Sequence, residues 1–147
     1  MKLSYFLLSM VVFTISVPTS KKENQSFKLG EEVSIPFDSL ATLNDKGTIL
    51  VFQFADLIEE SRCPPRATCI WAGRATIELK VDKARSFMLS HGDLFRRNEI
   101  PLTDTATYLD YKIYLKGVSY NQKTEYRKKG KYFITIKVEK EKISTKP

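Results

Sequence analysis

Thr76-Ile77-Glu78-Leu79-Lys80-Val81 sets apolar and charged side chains in alternation, so an extended chain places Ile77, Leu79 and Val81 on one face and Glu78 and Lys80 on the other. A strand with one dry and one wet face belongs to an antiparallel sheet packed on a second layer. The pattern recurs in Tyr111, Ile113 and Leu115 around Lys112, and in Ile134, Ile136 and Val138 around Thr135 and Lys137. Ile49-Leu50-Val51-Phe52-Gln53-Phe54 is apolar on both faces and predicts a central strand covered on both sides, or one with one side resting on a loop. Strands are expected over 26–29, 32–36, 48–57, 75–81, 86–89, 108–115 and 131–139. Turn signals separate them: Gly30, Asn44-Asp45-Lys46-Gly47, Gly73, His91-Gly92-Asp93, Pro101 with Asp104, Gly117 and Gly130. No helical periodicity is sustained after residue 20; 39–43 and 93–98 each accommodate a single helical turn. The expected fold is all-β: a single antiparallel, Greek-key-like β-sandwich of about seven strands with one disulfide-bridged loop.

Composition agrees with one compact domain. The 147 residues are 42% hydrophobic, too apolar for a disordered chain, and hold too few cysteines for a disulfide-dense miniprotein. The segment 1–20 has one positive charge, Lys2, then an uncharged apolar run from Leu3 to Val17, the proportions of a secretory signal peptide. Small residues Ser16, Thr19 and Ser20 offer cleavage positions, and no Cys ends the run to take a lipid anchor. The expected organisation is a signal over 1–20, a β-sandwich over 21–139 and a polar tail over 140–147, with no transmembrane anchor after cleavage. Export to the periplasm, the cell surface or the medium follows.

Cysteine usage fits that compartment. Cys63 and Cys69 are the only two, and an even count at short spacing in an exported chain predicts one disulfide. A tetrahedral metal site lacks ligands, since His91 is the only histidine. A redox dithiol has its usual spacing in C-x-x-C, whereas this is C-x5-C. Pro64 and Pro65 stiffen the loop and present Arg66 on a short turn. Trp71 is placed to pack over the bridge, and Ala72-Gly73 lets the backbone approach closely before the next strand. Arg62, close to Glu59 and Glu60, is expected to form an ion pair that pins this corner. Arg62, Trp71 and Gly73 are therefore the structural corner.

ESRCP at 60–64, then PRAT, CIWAG and the ATIELKV strand resemble a family of small exported bacterial proteins marked by a (D/E)SRCP...C-x-WAG-x-A-x-V segment. The match covers 49–81, with weaker agreement in YKIYLKGV and KYFITIKV, and Glu60 stands where Asp is usual. The resemblance implies an exported β domain with this bridged corner and carries over no catalytic residue. Members that look like lipoproteins have a lipid-attachment Cys that this chain lacks.

Charge is uneven. Residues 21–110 hold 12 Lys+Arg and 14 Asp+Glu, whereas 111–147 hold 11 and 3. The excess gathers at Arg127, Lys128, Lys129 and Lys131 around Gly130, read as a solvated basic hairpin on a sheet edge. Basic residues interleaved with tyrosines also suit a nucleic-acid groove, but an exported chain does not meet nucleic acid, so anionic envelope polymers or lipid headgroups are the better electrostatic partners. With a single His, no Gly-rich phosphate loop and no clustered ligands, no cofactor or metal is expected and the chain reads as non-catalytic. The leading expectation is a binding or structural module of the cell envelope or secreted space, its partner an envelope protein or anionic polymer. Two further functions compete: a protease inhibitor presenting Pro64, Pro65 and Arg66 as an extended segment, and adhesion to anionic surfaces through the basic hairpin.

Overall fold

In a computed structural model, which describes residues 24–93, 102–121 and 128–141, the chain is a β-sandwich. The expected signal segment, Arg127, residues 94–98 and most of the polar tail lie outside the described residues. The strands are β1 (Asn24–Phe27), β2 (Glu32–Pro36), β3 (Leu40–Asp45), β4 (Thr48–Glu60), β5 (Arg74–Val81), β6 (Arg85–Gly92), β7 (Thr105–Tyr108), β8 (Tyr111–Tyr120) and β9 (Tyr132–Lys140). One sheet has the order β1-β3-β4-β5-β6 and the other β2-β9-β8-β7. Every pairing is antiparallel except β1 with β3, which is parallel.

Alternation explains the core. Phe52, Phe54, Ile77, Leu79 and Val81 from the five-stranded sheet meet Val33, Ile35, Ile113, Leu115, Ile134, Ile136 and Val138 from the four-stranded sheet, all buried. Burying each such side chain contributes roughly 1.5–3 kcal/mol before chain entropy is counted. Tight turns set the registers. Asp45 pairs with Thr48 across Lys46-Gly47, whose φ values of 47° and 94° form the left-handed pair that a two-residue hairpin needs. Tyr108 pairs with Tyr111 across Leu109-Asp110, where Leu109 takes a positive φ of 55°.

The structure corrects several expectations. Residues 39–43 are not a helical turn: Leu40-Ala41-Thr42-Leu43 is strand, with Ala41 and Leu43 fully buried. β4 is central in order but covered on one face only, since Ile49 is exposed and Val51 half-buried. His91 and Gly92 continue β6, opposite Ala75 and Arg74, instead of turning. The basic hairpin does not sit on an edge, because β8 and β9 are the two inner strands of their sheet. Lys140 belongs to β9 and not to a frayed tail.

Polar ties close both ends of the sandwich. At one end the Tyr111 hydroxyl donates to Asp45 Oδ2 at 3.0 Å, and Lys140 Nζ reaches the same oxygen at 3.3 Å. Those bonds hold the Asp45 carboxyl below its ordinary value, with the Tyr111 hydrogen bond the largest cause, and the contact with Asp45 raises Lys140. At the other end Lys129 Nζ lies 2.6 Å from Asp56 Oδ1, which lowers the Asp56 carboxyl. No helix among the described residues is long and apolar enough to cross a membrane.

Candidate functional site

The disulfide corner joins β4 to β5 at the end of the sandwich opposite Asp45. Cys63 and Cys69 are bridged, with Cα atoms 5.8 Å apart, which fits an oxidising compartment. Strand β4 is irregular as it approaches the corner, with register shifts between Phe54 and Asp56 and between Leu57 and Glu59. The second shift decides where two neighbouring carboxylates go. Glu59 pairs with Thr76 and Glu60 with Ala75, so the two project to opposite faces.

Each carboxylate finds its own arginine. The Glu60 side chain, only 5% exposed, takes a forked contact from Arg62: Nε to Oε1 at 2.8 Å and Nη2 to Oε2 at 2.5 Å. The Arg62 backbone N–H adds a bond to Oε1 at 3.2 Å. Its remaining nitrogen, Nη1, donates to the Val118 carbonyl of β8 at 2.5 Å. One guanidinium therefore neutralises a buried carboxylate and ties the two sheets, using the planar fork that lysine lacks. Glu59 instead accepts from Arg74 Nε at 2.9 Å, and Arg74 is itself buried. The expected pinning by Arg62 is present, through Glu60.

Ser61 forms the neck of the loop. Its N–H donates to the Arg74 carbonyl at 2.9 Å, while its hydroxyl stands 3.2 Å from that carbonyl and accepts from the Arg74 N–H at 3.1 Å. Its carbonyl accepts from the Trp71 indole at 3.3 Å. Gly73 passes so close that a Cβ there would lie 2.1 Å from the Ser61 carbonyl oxygen. The close approach expected at Ala72-Gly73 is thus real. Gly92, at φ 111°, packs in turn on Gly73, where a Cβ would come within 2.6 Å of its carbonyl oxygen. The Asp93 N–H donates to that carbonyl at 3.2 Å.

Around this neck is a small cleft of about 230 Å³, lined by Ser61, Trp71, Ala72, Gly73, Arg74 and Asp93. Its arginine already faces Glu59, and among the described residues no three metal-ligating side chains gather.

The loop itself turns outward. Ala67 N–H donates to the Pro64 carbonyl at 3.2 Å and Arg66 has φ 68°, so Pro64-Pro65-Arg66-Ala67 is a turn of type II shape with Arg66 exposed at its third position. A left-handed residue inside a turn is not the extended segment that the inhibitor reading requires. Trp71 is 60% exposed, held by its N–H while its ring stays in solvent, and Ile70 is fully exposed.

The basic residues end up elsewhere than expected. Lys129-Gly130-Lys131 form one 3₁₀ turn, in which Lys129 is taken up by Asp56; Lys128 and Lys131 are exposed. Sequence reasoning did not reach the pairings of Ser61 with Arg74, Arg74 with Glu59, Gly92 with Gly73 or Lys129 with Asp56, whose partners lie between 13 and 73 positions apart. For Ser61 and Arg74 the available signal was their place inside the ESRC and WAGR strings. Comparison with protein-family models, curated proteins and solved structures gives no match to this chain.

Proposed function

We propose that this chain is an exported, non-catalytic β-sandwich module that binds a partner in the cell envelope or secreted space through the tip of its Cys63–Cys69 corner. One observation carries the reading: Ile70 is fully exposed and Trp71 60% exposed on a loop that is cross-linked and doubly hydrogen-bonded at its neck. Exposed apolar side chains held rigidly lose little freedom on binding, and a tryptophan with its N–H already satisfied offers a ring face at low cost. The ESRC string and Ala72-Gly73 supply the frame, and Ile70 and the ring of Trp71 are presented outside the core. Export is supported by the apolar run at 3–17 and by the disulfide. The resemblance to small exported bacterial proteins with the same segment points the same way.

The test is a photo-crosslinking amino acid placed at Ile70 and, as a control, at exposed Met88 on β6, in intact producing cells. A crosslinked product specific to position 70 supports the reading. Equal or absent products at both positions would overturn it.

A further inference from the structure

We infer that the cleft beside Trp71 is a saccharide site whose ligand is a neutral pyranose ring of a glycan; the inference rests on the binding reading above and names what the corner binds. The cleft lies where the Cys63–Cys69 loop returns to β5 against the end of β6, and it holds about 230 Å³. That is below the roughly 300–1,000 Å³ of sites that enclose drug-sized ligands, so it takes one ring and leaves the rest of a longer molecule outside.

The lining has two parts of different chemistry. Trp71 supplies a ring that is 60% exposed yet fixed in place, because the indole N–H donates to the Ser61 carbonyl at 3.3 Å and the loop behind it is cross-linked. The polar part is Ser61, Arg74 and Asp93. Arg74 is buried and held by Glu59, and the Asp93 N–H is bonded to the Gly73 carbonyl at 3.2 Å, so both residues are anchored before any ligand arrives.

A flat aromatic face beside a carboxylate suits a sugar. A gluco-configured pyranose carries hydroxyls around its rim and axial C–H bonds on its faces. The electropositive C–H bonds meet the negative face of the indole, while rim hydroxyls donate to the Asp93 carboxylate. A carboxylate has about four lone-pair positions, so Asp93 accepts from hydroxyls alongside its contacts within the fold. An acidic ligand is disfavoured, because the guanidinium at the cleft is already matched to Glu59 and the other charge lining it is Asp93. An apolar peptide side chain would use Trp71 and leave the polar wall idle. A neutral sugar uses both parts.

Trp71 is the only tryptophan, so its emission reports this cleft. The disulfide-bonded protein recovered from an exporting host is titrated with cellotetraose and chitotetraose, neutral tetramers of glucose and N-acetylglucosamine, and with polygalacturonate as the acidic counterpart. The expected result is a saturable emission change with at least one neutral tetramer and none with polygalacturonate. By calorimetry, Trp71→Ala and Asp93→Asn should each weaken binding of that tetramer roughly tenfold. Trp71→Phe, which keeps a ring face and loses the bond to Ser61, should stay within about threefold of the parent. Emission unmoved by either tetramer at about 10 mM, where even a millimolar site is mostly filled, overturns the inference. Equal losses in Trp71→Phe and Trp71→Ala also overturn it, since they mark a neck contact and not a stacking face. Binding of polygalacturonate in place of the tetramers marks a charge-reading site and overturns it too. If no saccharide binds but position 70 crosslinks specifically to a protein, the corner binds a partner and the sugar assignment alone fails. If position 70 yields no specific product either, both readings fail together.

Discussion

Arg62 Nη1 donates to the Val118 carbonyl at 2.5 Å, joining the disulfide corner of one sheet to an inner strand of the other. The same guanidinium forks onto Glu60, so the ESRC string is a device for burying a charge pair at the open end of the sandwich. Such a pair is worth less for the net energy it adds than for the arrangement it enforces, because both charges must leave water to make it. Here the arrangement is a chain exit fixed in direction, from which the loop projects.

Gly73 and Gly92 should resist any side chain. Gly73→Ala puts a Cβ 2.1 Å from the Ser61 carbonyl oxygen, and Gly92→Ala meets both a positive φ and the Gly73 carbonyl. Each should lower stability by about 2 kcal/mol or more, read by urea unfolding. Gly130→Ala, with nothing within 4 Å of its Cβ, should be near neutral.

Acid should loosen the end of the sandwich held by Asp45. Asp45 has its carboxyl held below the ordinary 3.8 by the Tyr111 hydroxyl and then by Lys140, so the folded chain keeps the charge at a pH where the unfolded chain is taking up a proton. The stabilisation is fully present above the ordinary value and is lost as pH falls through the lowered one. Tyr111→Phe should flatten the acid limb of a melting-temperature profile measured downward from pH 5. An unchanged limb would show that the bond does not titrate with folding.

Removing the bridge should free the loop more than the fold. Cys63→Ser with Cys69→Ser loses about 2 kcal/mol on the loop-length relation, while the core residues of both sheets are untouched. Far-UV circular dichroism should keep its β signature. Position 70 should lose its specific crosslink, because the presented tip is no longer held.

The sheet faces were legible and the strand partners were not. β2 appears in the sequence with the bounds it has in the structure, because Val33 and Ile35 alternate with polar neighbours. β3 was hidden because Leu40-Ala41-Thr42-Leu43 is short and includes alanine, a weak strand former, so its inward Ala41 gave little signal. The place of β8 and β9 inside their sheet, the parallel pairing of β1 with β3 and the capture of Lys129 by Asp56 depend on contacts between distant segments, which alternation does not encode. At the corner, Arg62 was read as a pin from its two acidic neighbours, but the choice of Glu60 over Glu59 follows from a β-bulge that no residue pattern announced. Trp71 was expected over the bridge, and its exposure follows from the Ser61 carbonyl that takes its N–H.

The division between frame and tip is tested most directly by equilibrium urea unfolding of Arg62→Ala beside Ile70→Ser. Losing Arg62 leaves Glu60 buried without its partner, which predicts a loss of about 3–5 kcal/mol. Losing the fully exposed Ile70 predicts a change within about 0.5 kcal/mol. An Arg62→Ala protein as stable as the parent, or an Ile70→Ser protein that is strongly destabilised, would contradict the account.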